Sequence, residues 1–539
     1  MKHLSTTFAV LVACTACAQP GNWEWALATG GVSNNFAYDM AADAAGNTYA
    51  VGEYTNDTIV FGEHVLLNSG GPNMYIVKFD AGGNVLWAKG ESGSALSGRG
   101  IALDGAGYIY VTGNCIGTEL VIGSTTLSSY GDADVFIAKY DTAGNFVWAA
   151  HGGSELEDFA WSIDVDALGN GVVGGRFKGA TMTVGGNVLA NTYTAPNEQL
   201  YMARFNAAGL WTSALQDGGP SADNYCAVAI DDEQNTYWVG NILVGNTTAV
   251  KTYKFDASGA EVWSHSATST GHCRGYAVDV DVSGNVLVAG EFRCAGIDFS
   301  GQVLTNTMPA GLNQDIFLVK YDSDGDLLWA TSEGEAPSGD VAHALEISAD
   351  GRILISGHFS STAFLFGTTL LASQGVSDLF IAEYDQAGNV LWASSGGGPY
   401  QELNHGMAVD GMGNVYTCGT TTSPTLHFAP LEITSVMPTN TNALMAKLGT
   451  TTGVDDQLAG IFEIRPFPNP SSSAFRLTLR KPAETITVRD IHGRTVLSRS
   501  ARSGTEMTLD LSGHPAGIYC LQVIGEDGLN GTSVVVLVN

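Results

Sequence analysis

The chain has 539 residues, 68 of them glycine, with only 14% charged residues and a net charge of −31 at pH 7. That length exceeds one ordinary hydrophobic core, and so much glycine with so little charge favours tight turns over amphipathic helices. The acidity is uneven, with a balance of −1 from residue 455 onward and −30 before it; such a surface repels phosphate backbones and anionic lipid, which excludes nucleic acid as a partner.

In chain order, the first segment reads as a leader. Lys2 and His3 precede the apolar run Phe8-Ala9-Val10-Leu11-Val12-Ala13, and Ala16-Cys17-Ala18 is a small-x-small cleavage site. A signal peptide is predicted over 1–18, with lipidation of Cys14 as the alternative. No later run of 18 or more apolar residues follows, so no transmembrane segment is expected.

From residue 19 to 449 one pattern repeats. Seven tryptophans, Trp25, Trp87, Trp148, Trp211, Trp263, Trp329 and Trp392, are spaced 62, 61, 63, 52, 66 and 63 residues apart. Each unit carries an Asp-x-x-Gly-Asn turn after a small-and-apolar strand, as at Asp43 to Asn47 and Asp281 to Asn285. A second turn follows an apolar-Lys-aromatic-Asp strand, as at Lys139-Tyr140-Asp141. Asp opens such a turn by bonding its own backbone, and Gly or Asn accepts positive φ. Two hairpins per unit give four strands, A to D, with the tryptophan on D. Four short antiparallel strands recurring at about 60 residues predict the blades of a β-propeller. The chain starts with a lone D strand, Trp23-Glu24-Trp25-Ala26-Leu27-Ala28, and the repeats end with a lone C strand, Leu444-Met445-Ala446-Lys447-Leu448. Joining the two closes a ring without free edges, so the expected fold is all-β, a seven-bladed propeller of four-stranded antiparallel blades.

Residues 450–457, with three Thr and an Asp pair, read as a linker. Residues 458–539 read as a small β-sandwich. Its landmarks are Phe467-Pro468-Asn469-Pro470, the turn Asp490-Ile491-His492-Gly493-Arg494 and Pro515-Ala516-Gly517-Ile518-Tyr519, with alternating strands between them.

The propeller turns, the Lys-Tyr-Asp strands and the Gly-Gly pairs after the Trp strand, such as Gly152-Gly153 and Gly396-Gly397, resemble the SBBP β-propeller repeat of bacterial secreted proteins. That resemblance implies a fold and no fixed activity. The C-terminal motifs are similar in order and spacing to the type A sorting domain of the type IX secretion system of Bacteroidota. This implies the secretion machinery as a partner, export across the outer membrane, and release or attachment at the cell surface.

Strand A lines the channel of a propeller, so variable positions on it are the candidate site. Nine residues before the end of the first turn stand Tyr38, Arg99, Trp161, Cys226, Tyr276, His343 and His405; twelve before stand Asn35, Leu96, Asp158, Asp223, Cys273, Asp340 and Glu402. Tyr38, Arg99, Trp161, Tyr276, His343, His405, Asp158, Asp223, Asp340 and Glu402 are the candidate ligand-binding residues at the propeller face, suited to a glycan, a protein or a cation. His343 with Asp340 and His405 with Glu402 also suggest an acid–base pair or a metal, but no catalytic residue or metal ligand is assigned. Cys273 and Cys294 flank the Asp281 turn and are expected to form a cross-strand disulfide. Asp322-x-Asp324-x-Asp326 imitates a calcium loop, yet Leu327 stands where that loop needs Gly, so a hairpin turn is expected; no cofactor is implied, with calcium left open as a bound cation. The expected role is non-catalytic binding. The alternatives are a polysaccharide lyase or glycosidase using Arg99, Tyr276, His343 and Glu402, and a structural cell-surface component.

Overall fold

The structure, a computed structural model, describes residues 20–450 apart from 31–33, 56–57, 69–70, 92–94, 193–197, 218–224, 245–246, 270, 309–312, 336–338 and 436–439. Beyond these it describes 465–467, 474–478, 483–490, 494–500, 506–515, 517–525 and 530–537. The leader (1–18) and linker residues 451–457 lie outside the described residues. The chain divides into two compact units between Thr450 and Thr451.

The first unit is a ring of seven antiparallel blades, each with four strands in the order A-B-C-D, the second extended to a six-stranded sheet by a hairpin of the third. Blade 1 comprises Asn35–Ala42, Thr48–Tyr54, Asn73–Phe79 and Val85–Gly90. In blade 7 strands A to C are Glu402–Val409, Val415–Thr421 and Asn442–Leu448, and the fourth strand is Trp23–Ala28 from the start of the propeller. The closure sets Ala26 opposite Ala446 and Ala28 opposite Leu444, with one register shift between Trp23 and Trp25, and it buries Trp23 at 3% exposure against Phe428. The A strands of consecutive blades contact one another all round, and the last contacts the first. Strands B and C are almost wholly buried, as in Asp315–Tyr321, while D strands are mostly half-buried; this is expected of strands sandwiched between neighbouring blades and of an outer edge.

The repeat residues join the blades. The side chain of Asp43 illustrates the first turn: Oδ1 accepts from the Ala45 and Asn47 backbone N–H groups and Oδ2 from Asn47 Nδ2. The D-strand tryptophan lies on the second turn of the next blade. Trp25 donates its indole N–H to Ala81 O (3.4 Å), Trp263 to Ser323 O (3.2 Å) and Trp329 to Gln386 O (3.0 Å). The turn glycine passes directly beneath the ring. Gly83 has φ +82°, and a Cβ there would stand 2.7 Å from Trp25. The strand C lysine adds a second tie: Lys320 reaches Asp281 in its own blade (3.1 Å) and Gln386 in the next.

Six of the seven units also carry a short hairpin between strands B and C, such as Thr58–Phe61 with His64–Leu67, which the four-strand reading did not foresee. The hairpins reach back to the preceding blade. Gly152 and Gly153 pair with Val184 and Thr183, and Gly397 pairs with His427. This explains the Gly-Gly after the Trp strand, since a Cβ on Gly396 would stand 2.2 Å from Phe428. Blade 4 lacks the hairpin, its strands Thr236–Val244 and Thr247–Phe255 being joined directly, which accounts for the short 52-residue interval between Trp211 and Trp263.

The second unit holds a three-stranded sheet (Arg465–Phe467, Ala474–Thr478, Glu506–Asp510) and a four-stranded sheet (Thr495–Ser500, Ala483–Asp490, Gly517–Gly525, Asn530–Leu537). Phe475, Leu509 and Leu511 are buried from one side and Ile486, Val488 and Leu521 from the other. Tyr519 donates its hydroxyl to Pro515 O at 2.6 Å, tying together the two ends of the Pro-Ala-Gly-Ile-Tyr segment.

The Trp-on-Gly contact predicts a contrast between two positive-φ glycines. Gly301 has φ +99° with open space around its Cβ position, so Gly301→Ala costs only the backbone term, about 1 kcal/mol. Gly83→Ala adds displacement of Trp25 and is expected to cost about 2–4 kcal/mol, read as a shift in the urea unfolding curve.

Candidate ligand-binding site

Six of the seven A strands contain a β-bulge, and in each the residue left out of register is the one nine places before the turn. The pairing skips Tyr38, Arg99, Trp161, Tyr276, His343 and His405. A bulge leaves its extra residue unpaired and re-aims its side chain; here the side chains turn into the channel. Blade 4 has no such shift. Its Cys226 pairs directly with Gly240 and is buried, with Sγ 3.6 Å from Gly175 O. The preceding residue, Tyr225, 41% exposed, takes the place at the channel mouth.

Together these residues form a closed collar of ring and guanidinium faces. Arg99 lies 3.9 Å over the Tyr38 ring and 5.6 Å from that of Trp161. Centroid distances continue the circle: Trp161 to Tyr225 4.9 Å, Tyr225 to Tyr276 5.3 Å, Tyr276 to His343 4.6 Å, His343 to His405 6.1 Å and His405 back to Tyr38 5.8 Å. Phe36 stacks behind Tyr38 and Phe159 behind Trp161. The enclosed cavity is about 260 Å³.

Matching positions of strand B supply the charges behind the collar. Glu53 accepts from Tyr38 Oη (2.9 Å) and pairs with Arg99 (3.7 Å). Glu291 accepts from Tyr276 Oη (3.1 Å) and pairs with Arg274 (2.9 Å), and Arg176 pairs with Glu198. His358 stacks on His343 at 5.3 Å. Burial pushes His405 down to about 3, His358 to about 4 and His343 well below the ordinary value, so all three rings are neutral at pH 7.

The candidates twelve places before the turn do not join the collar. Asp158, Asp340 and Glu402 are fully buried. Asp158 accepts from Ser154 Oγ (2.7 Å), Asp340 from the Glu335 N–H (3.2 Å), and Glu402 from the Gly398 N–H (2.7 Å) and Thr421 Oγ1 (2.8 Å). They stand at in-register positions opposite Phe177, Phe359 and Thr421, where loop N–H groups need acceptors. The suggested His–carboxylate pairing is therefore not assembled. Asp223 lies outside the described residues. The Asp322 motif is a hairpin turn, with Oδ1 accepting from the Asp324 and Asp326 N–H groups. Among the described residues no group of three or more His, Cys, Asp or Glu side chains is placed to hold a metal.

Below the collar a second cavity of about 270 Å³ is bordered by Asp39, Asp164, Asp279 and Glu346, acids that stand among small residues in the other blades and that the sequence alone does not gather into one ring. Three of the acids bridge adjacent blades: Asp39 accepts from the Ile101 N–H (3.0 Å), Asp164 from Ile230 (2.9 Å) and Asp279 from Ile347 (2.6 Å). Burial raises Asp39 and Asp279 to about 7 and Asp164 to about 6. Burial and repulsion from the other three raise Glu346 well above its usual value.

The expected Cys273–Cys294 bridge is not formed. Cys273 stands opposite Phe292 rather than Cys294, and the two buried sulfurs lie 3.7 Å apart as free thiols.

Known proteins match both units. Residues 465–537 match the secretion system C-terminal sorting domain, and residues 90–120 match the β-propeller repeat. The chain is a β-propeller-repeat protein carrying a type IX sorting domain. That domain directs export by type IX secretion to the cell surface or extracellular space. No helix among the described residues is long and apolar enough to cross a membrane. An uncharacterized WD repeat-containing protein, L264, of Acanthamoeba polyphaga mimivirus is 23% identical over 75% of the chain, which spans 36% of that relative. Similar solved structures include Sqt1 from Chaetomium thermophilum (9% identity, 75% of this chain and 83% of that one, TM-score 0.37). Another is the Pan2 WD40 domain of Neurospora crassa (9% identity, 77% and 89%, TM-score 0.36).

Two outcomes follow for the propeller protein. The raised Glu346 carboxyl stays protonated in the fold after the unfolded chain has ionised, so its share of stability is full below the ordinary glutamate value and is lost as pH rises. Glu346→Gln is expected to raise Tm progressively more from pH 5 to pH 8, measured by thermal melts across that range. Diamide treatment is expected to couple Cys273 to Cys294, seen as a linked peptide by mass spectrometry, and to leave Cys115, Cys226 and Cys418, each buried alone, reduced.

Proposed function

We propose that the exported propeller acts by non-catalytic binding, holding a ligand in the collar at the mouth of its channel. What supports this reading is the collar itself: seven blades each deliver one ring or guanidinium face to one cavity, six of them by the same backbone bulge. Variable contact residues on a uniform scaffold are how binding surfaces are made. The surface address fits a glycan or protein ligand met outside the cell. The enzyme alternative asks for Arg99, Tyr276, His343 and Glu402 together. The first three face the cavity, but Glu402 is committed to the Gly398 N–H and Thr421, which leaves that set without its carboxylate.

The test is capture of glycans and cell-surface proteins on arrays by the full chain. Truncating Trp161 and Tyr276 together to Ala removes two ring contacts worth about 1 kcal/mol each, so capture is expected to fall roughly thirtyfold without turnover of the captured molecule. Undiminished capture by the double variant, or release of cleaved product, overturns the reading.

A further inference from the structure

Resting on that binding reading, we infer that the channel selects an organic cation, a protonated amine or guanidinium, rather than a neutral or anionic ligand. The first reason is the collar. Ring faces directed at one cavity from several sides attract a cation through their quadrupoles, and the collar already holds one in this way, since the Arg99 guanidinium sits 3.9 Å over Tyr38.

The second reason is the distribution of charge along the channel. At the mouth it cancels: Arg99, Arg176 and Arg274 are each paired, with Glu53, Glu198 and Glu291. The three neighbouring histidines, His343, His358 and His405, are held neutral by burial. Beneath the mouth no cation faces the carboxyls, and burial shifts them toward their protonated form until a counter-charge arrives. Asp39, Asp164, Asp279 and Glu346 border the second cavity with no Lys, Arg or His in ion-pair reach among the described residues. Asp39 and Glu346 border both cavities, so a group entering through the collar meets a carboxyl directly below the rings. Glu346 also has no hydrogen-bond donor among the described residues, unlike the three aspartates.

The occupant follows from these two tiers. An anion would face four acids. A neutral sugar would stack on the rings and bring no charge to favour the ionised form of those acids. A cation on an aliphatic stem satisfies both tiers, its methylenes against the rings and its charge toward Asp39 and Glu346. The −30 balance of this part of the chain would raise the local concentration of such ligands and speed their arrival. The cation is borne either by a free polyamine or by a basic side chain of a peptide.

Isothermal titration of the full-length chain at low ionic strength tests this with three probes: spermidine, a short lysine-rich peptide and a neutral cello-oligosaccharide. Two variants accompany the parent, Glu346→Gln and Tyr225→Ala, the latter at a partly exposed ring outside the paired strands. Saturable binding of spermidine or the peptide, weakened about tenfold by Tyr225→Ala and measurably by Glu346→Gln, supports the inference. Equal binding of both cations points to a free polyamine, and binding of the peptide alone to a side chain. Oligosaccharide binding that Tyr225→Ala weakens, with both cations inert, leaves the binding reading standing and overturns the choice of cation. Cation binding indifferent to both variants is attraction to the acidic surface at large and also overturns it, as does silence from all three probes.

Discussion

The architecture depends on one pairing, that of Trp23–Ala28 with Asn442–Leu448. A four-stranded blade exposes one row of unpaired backbone groups at each edge, and a stack of such blades leaves its terminal faces open to water or to other chains. Here the start of the propeller supplies the outer strand of its last blade. The same strand carries Trp25, which covers Gly83 in blade 1. One hexapeptide therefore completes blade 7 and fastens it to blade 1. Only in a closed ring do seven inner strands face a common axis, so the cavity at the mouth exists because of this pairing.

Within the ring, neighbouring blades are held by four kinds of tie at three radii. Near the axis, aspartates reach across to the next inner strand, as Asp39 does to Ile101. Further out, the strand C lysine spans two turns, as Lys320 does. At the rim, tryptophan lies on a glycine turn and the B–C hairpin reaches back to the previous blade. The inner tie is the costly one, because burying a carboxyl disfavours its charged form. Each of the three aspartates offsets this by accepting two backbone N–H bonds, and their raised values show that the offset is incomplete.

The parts of this design that were legible in the sequence are those fixed by local backbone chemistry. Asp-x-x-Gly-Asn is a turn wherever it occurs, so blade number, strand order and the complementary ends followed from it. The B–C hairpins carry no Asp-x-x-Gly-Asn turn and so escape that count, although Ile59-Val60-Phe61-Gly62 and its counterparts recur. At the candidate site, counting from the turn found six of the seven collar positions. It chose Cys226 over Tyr225 because blade 4 lacks the bulge that the counting silently assumed. It also selected Asp158, Asp340 and Glu402, since a count along a strand does not say which side of a bulge faces the axis. Asp164, Asp279 and Glu346 share one strand A column that reads as small or acidic, its other members being alanine, and Asp39 stands two places earlier in its own strand; only the ring brings the four around one cavity.

The bulge has a consequence for how such a protein diversifies. The residue it carries takes no part in the ladder, so exchanging a tyrosine there for histidine or arginine leaves every sheet hydrogen bond intact. The mouth thus behaves like a seven-letter lock whose tumblers can be reset one at a time while the housing stays untouched. Blade 4, which keeps strict pairing, is the one wheel of that lock that turns from the neighbouring residue instead.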